Sequence, residues 1–150
     1  RYGIKSIDDL IVYLSKKHSW ASQMIQEVCE NLDFYLVLNQ AKKISEVDLG
    51  KKLYEISKKY LSVSLNFGGV IFYSEDVCAS VNKMSPLAIS APQCHTASTL
   101  SHLSKKIFNM IAYRRENHKP LETFEEQYER VCSEAEKSFV LNQLKPRNGS

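Results

Sequence analysis

The sequence predicts an all-α fold, an antiparallel bundle of four to five helices, and three observations support that expectation. Only 5 Gly and 4 Pro punctuate 150 residues, fewer turn residues than an all-β sandwich of this length needs. Helix-start patterns recur at Ser6-Ile7-Asp8-Asp9, Ser45-Glu46-Val47-Asp48 and Thr123-Phe124-Glu125-Glu126. In each, a hydroxyl residue can accept an orphan backbone N–H and the acids suit the positive end of the helix dipole. Beyond these starts, apolar residues return at steps of three and four.

Ile7, Leu10, Ile11 and Leu14 give the first helix one apolar face. After Trp20, the residues Met24, Ile25, Val28, Cys29, Leu32, Tyr35 and Leu36 keep helical spacing, which predicts a helix running on to about Lys43. The clearest stripe is Leu49, Leu53, Ile56, Tyr60, Val63 and Phe67. Because it reaches Phe67 without losing phase, Gly68 is expected to close that helix, the Gly68-Gly69 pair forming a break near 68–69. Val70, Ser74, Val77, Val81 and Met84 then resume helical steps. A hairpin in which residues 62–67 turn through the glycines into 70–74 stays open, since the β-branched run suits strands. A phosphate loop is disfavoured because no Lys-Ser or Lys-Thr follows the glycines.

Residues 85–96, with Pro86 and Pro92, form the longest expected loop. Thr96 or Ser98 is the expected cap of the next helix, which carries Leu100, Leu103, Ile107, Met110 and Ile111 and ends basic at Arg114-Arg115 before Lys119-Pro120. Thr123 and Glu126 make a capping box, followed by Phe124, Tyr128, Val131, Ala135 and Phe139 on one face. Residues 1–144 are therefore expected to form one helical-bundle domain, with 145–150 a flexible tail.

Composition excludes several classes of function. Hydrophobic residues at 43% and charged residues at 25% are globular values. A net charge of +3, from 20 basic and 17 acidic residues, is too small to imply nucleic acid or an anionic membrane. No apolar run approaches the roughly 18 residues of a membrane span, so the chain reads as soluble. It opens at Arg1 without Met, which suggests an excised domain or a product from which a leader has been removed. Cys29, Cys78, Cys94 and Cys132 show no C-x-x-C spacing, and three of the four lie next to valine or on an apolar stripe, as reduced thiols of a cytoplasmic or nuclear protein would. The 4 His have no H-E-x-x-H frame, and no metal or cofactor is expected.

What remains is surface. Lys51 and Lys58, like Lys52 and Lys59, stand a heptad apart with Tyr54 and Tyr60 interleaved, while Phe72 and Tyr73 fall beside the main stripes. Lys51, Tyr54, Lys58, Lys59, Phe72 and Tyr73 are the candidate partner-binding residues of a non-catalytic adaptor or scaffold domain. Its partner would be a helix or short motif of another protein, with acidic residues steered by the lysines. Glu55 between the doublets also fits a merely solvated face. Three alternatives come from other classes. One is a nucleic-acid or acidic-partner module using the paired lysines; another is a secreted helical ligand with paired cysteines. The third is a cysteine-dependent enzyme with Cys94 as nucleophile near His95 and His102.

Overall fold

The computed structural model describes residues 3–143; the expected tail at 145–150 lies outside them. In chain order the elements are α1 (Ile7–Ser15), α2 (Ser19–Asn31), β1 (Asp33–Ala41), a 3-10 turn (Ile44–Val47), α3 (Asp48–Leu61), β2 (Ser64–Phe72), α4 (Glu75–Asn82), α5 (Leu87–Ser90), α6 (His95–Asn117) and α7 (Phe124–Gln143). Seven helices and one two-stranded parallel sheet, counted among the described residues, make a mixed α/β fold. The expected all-α helical bundle is therefore overturned.

The error has two local sources. Helical spacing through Leu32, Tyr35 and Leu36 was coincidental: α2 stops at Asn31, and the run Asp-Phe-Tyr-Leu-Val-Leu-Asn-Gln-Ala is strand β1. Short apolar runs satisfy both periods, and only pairing decides between them. In the next segment α3 ends at Leu61, where Ser62 takes the left-handed conformation (φ 53°) and its N–H reaches the Ser57 carbonyl. Ser62 thus performs the closure expected of Gly68. Val63 and Phe67, read as the last members of the α3 stripe, lie beyond the helix. Gly68 and Gly69 are neither a helix break nor a hairpin turn but lie inside β2.

β1 and β2 run parallel, and parallel neighbours need a crossover, which the 3-10 turn and α3 supply. Two bulges shape the pair. Leu36 pairs with Phe67 and Val37 with Gly69, which leaves Gly68 as an extra residue on β2; Asn39 pairs with Ile71 and Ala41 with Phe72, which leaves Gln40 (φ 60°) extra on β1. Each extra residue reverses the in–out alternation beyond it. Phe67, Val70 and Phe72 consequently share one side with Leu36, Leu38 and Ala41, and all six belong to a single core cluster. Without the bulges, Phe67 and Phe72 would face opposite ways.

The glycines are used for proximity rather than for positive φ. A Cβ on Gly69 would lie 3.1 Å from Leu103 of α6, and one on Gly68 would lie 3.2 Å from Ile107. Helix α6 can cross the strand there because both side chains are missing. Helix α7 packs Phe124, Val131 and Ala135 onto the Phe67 side of the sheet. Its Gln127, 1% exposed, covers the outer edge of β2: the Phe67 N–H donates to Oε1 at 2.7 Å, while Nε2 donates to Asn66 Oδ1 at 3.3 Å and to the Glu122 carbonyl at 3.0 Å. An edge strand buried in this way must have its polar groups satisfied.

Two of the three helix starts form where expected. Ser6 and Asp9 make a capping box on α1, and Thr123 and Glu126 make one on α7. Ser45 instead sits in the 3-10 turn, and α6 is capped by Cys94, whose Sγ accepts the Ala97 N–H at 3.3 Å, rather than by Thr96 or Ser98.

Candidate partner-binding site

Helix α3 decides what this surface offers. Its closest approach to the core is at Gly50, where an added Cβ would stand 2.6 Å from the Phe67 ring. Tyr54, one turn on, stacks on Phe124 of α7 with ring centroids 3.8 Å apart and planes 7° off parallel. With Gly50 and Tyr54 inward, a rotation of about 100° per residue fixes the rest of the helix. Leu49, Leu53, Ile56 and Tyr60 fall together on one flank, exposed by 46%, 40%, 52% and 41%. The strongest apolar stripe in the sequence therefore faces water. Lys52 and Lys59 run along the outermost line beside it, while Lys51, Glu55 and Lys58 take the opposite flank.

That opposite flank borders a groove of about 540 Å³ between α3 and the first turns of α7, and it brings together Lys51, Tyr54, Lys58 and Lys59, four of the six residues singled out in the sequence. Phe124 and Tyr128 supply its aromatic floor. The Lys58 ammonium lies 5.8 Å from the Tyr54 ring centre, and that of Lys59 lies 5.0 Å from Tyr60. Tyr128 donates its hydroxyl to Asp48 Oδ1 at 2.5 Å; this bond to a carboxylate, aided by burial, pushes the phenol pKa well above its usual value. Glu55, Glu125 and Glu129 also line the groove and offset its three lysines, so it is mixed in charge rather than basic.

The other two expected residues lie elsewhere. Phe72 is 5% exposed and packs 5.3 Å from the Phe139 ring in the core. The surface role expected for it does not fit this position, because the Gly68 bulge turns it to the core side of the sheet. Tyr73 is 47% exposed at the end of β2, with Lys42 5.9 Å from its ring centre and the Cys78 thiol donating to its hydroxyl at 3.6 Å. It does not line the α3–α7 groove.

Cys94 is buried as the cap of α6, and His95 places Nε2 2.8 Å from Ser138 Oγ. All four cysteines are free. Among the described residues no group of three or more His, Cys, Asp or Glu is arranged to hold a metal ion, and no helix is long and apolar enough to cross a membrane. One polar pairing escaped the sequence altogether. Arg114 Nε lies 2.5 Å from Asp33 Oδ2, joining α6 to the start of β1. Burial raises the Asp33 carboxyl pKa and outweighs the opposing effect of the guanidinium. Nothing local to either residue signals the other. No protein-family model, curated protein or solved structure matches this chain.

Proposed function

We propose that this domain is a non-catalytic protein-binding module whose receptor surface is the outward flank of α3. The observation that carries the reading is that Leu49, Leu53, Ile56 and Tyr60, at helical spacing, lie 40–52% exposed on a helix anchored from behind by Gly50 and Tyr54. Twelve hydrophobic residues are buried in this domain, whereas twenty-one large ones are exposed, counted among the described residues. Contiguous apolar surface of this kind is the usual mark of an interaction site. The occupant is an amphipathic helix of another protein. Its apolar side lies along the α3 stripe and its acidic residues meet Lys52 and Lys59, which border the stripe along its length. Four unpaired thiols suit a reducing cytoplasm or nucleus.

A photo-crosslinking residue at position 53, introduced into the full-length protein in cells, tests this reading. The captured segment should carry apolar residues at steps of three and four flanked by Asp or Glu. Ile56→Glu should reduce capture at least ten-fold while leaving helicity and thermal stability unchanged, because Ile56 is half exposed. Unchanged capture by Ile56→Glu would remove this face from consideration. Lys52→Ala with Lys59→Ala should chiefly slow association and weaken its dependence on salt.

A further inference from the structure

The two edges of the sheet are treated differently. The β2 edge is covered at Phe67 by Gln127. At β1, the Phe34 carbonyl accepts Asn66 Nδ2 at 3.4 Å and the Leu36 carbonyl lies 3.3 Å from where a Gly68 Cβ would stand, so the main-chain groups of residues 34 and 36 face β2. Alternation turns those of Tyr35, Val37 and Asn39 to the outside, where no third strand pairs with them among the described residues. An open strand edge is a template for pairing unless it is guarded. β1 itself contains neither proline nor lysine, and it has Leu36-Val37-Leu38 at its centre.

We propose that this edge pairs with the same edge of a second copy of the chain, antiparallel about a two-fold axis through Val37, to give a continuous four-stranded sheet ordered β2-β1-β1-β2. The register follows from the outward groups. Val37 faces Val37 and Tyr35 faces Asn39, so every outward N–H and C=O meets its counterpart and about six hydrogen bonds form. Leu36 then lies opposite Leu38, which extends the apolar side of the sheet across the junction. The Gln40 bulge ends the pairable stretch at Asn39. Charge favours the direction: the antiparallel arrangement sets exposed Glu30, just before the start of β1, near exposed Lys42 and Lys43 of the other copy, where a parallel one would stack like ends. Leu32 and Phe34, 42% and 46% exposed at the start of the strand, lie where the second copy would cover them.

Sedimentation equilibrium of the whole chain tests the pairing. The chain should dimerise, and Val37→Pro should raise the dimer dissociation constant about a hundred-fold, since it removes the two central hydrogen bonds and adds a ring at the two-fold. Because the Val37 N–H points away from β2, the proline removes no bond within the chain, and far-UV circular dichroism should be unchanged. Should that variant fail to fold, cysteine placement decides. With exposed Cys78 replaced by serine, V37C should form an intermolecular disulfide on oxidation, because the two-fold sets residue 37 opposite itself at about 5.5 Å between Cα atoms. N39C, opposite Tyr35, should not. A chain that stays monomeric at every concentration overturns the proposal, as would an undiminished dimer of folded Val37→Pro or equal crosslinking of N39C. A monomer that instead takes up an extended peptide along β1 overturns it too. Ile56→Glu should leave the dimer intact, so failure here and failure of the α3 surface are separable.

Discussion

Replacing Gly50 by alanine puts a methyl group 2.6 Å from two carbon atoms of the Phe67 ring, about 1 Å inside ordinary carbon–carbon contact. The ring has little room to retreat: Phe67 is 0% exposed and is backed by Phe124 and Tyr128 of α7, with centroids 6.2 and 6.4 Å away. Either α3 lifts off β2 or Phe67 leaves its preferred rotamer, and overpacking of this kind costs about 1–3 kcal/mol. The better helix propensity of alanine returns up to about 1 kcal/mol. With helix backbone on one side and a packed ring on the other, the upper end of the cost applies, and a net loss of about 2 kcal/mol is expected. For a domain of this size that lowers the Tm by about 4–8 °C, measurable by calorimetry, with a matching fall in the urea midpoint. Phe67→Leu in the same chain should make the alanine less costly, a coupling that two independent sites would not show. A Gly50→Ala protein as stable as the parent, or more stable by the helix-propensity term alone, would refute the close approach of α3 to Phe67 and with it the outward rotation of the apolar stripe.

Gln127→Ala leaves the buried Phe67 N–H and the Glu122 carbonyl without their partners and should cost about 2–4 kcal/mol, with faster hydrogen exchange at the Phe67 amide. The Glu126 carboxyl is held below its usual pKa of 4.5 by the Thr123 N–H and hydroxyl, and that of Asp9 below 3.8 by the Lys5 N–H and Ser6. Both contribute stability above those pH values that is lost as pH falls through the lowered ones, so Glu126→Gln with Asp9→Asn should flatten the acid limb of a stability–pH profile. Lys106, its side chain 20% exposed, has its pKa lowered by burial despite Glu134 at 2.7 Å. Lys106→Met should be close to neutral near pH 7, because Glu134 is 52% exposed and keeps Arg130 at 3.4 Å, so no buried charge is left without a partner. Its stability relative to the parent should fall as pH rises toward 10.5, because deprotonation relieves the buried charge of the parent.

The sequence by itself determined the parts that need only neighbours. The capping boxes at Ser6 and Thr123 close over three residues, and the face of α7 from Phe124 through Tyr128, Val131 and Ala135 to Phe139 is the face that enters the core. It also read the stretch from Leu49 to Tyr60 as helix, which lies within α3, and it singled out four of the residues that line the groove beside it. What only the tertiary structure decided was which way α3 turns and what the segments on either side of it become. Gly50 admits the Phe67 ring, so the helix settles on its glycine and presents its leucines outward, against the ordinary reading of an apolar stripe. β1 and β2 lie about thirty residues apart in the chain, and the extra residues Gly68 and Gln40 break the two-residue alternation that would have announced them. A helix closes its hydrogen bonds within four residues and so leaves a local record; a parallel strand finds its bonds across a crossover, and its identity depends on a partner that no short window contains.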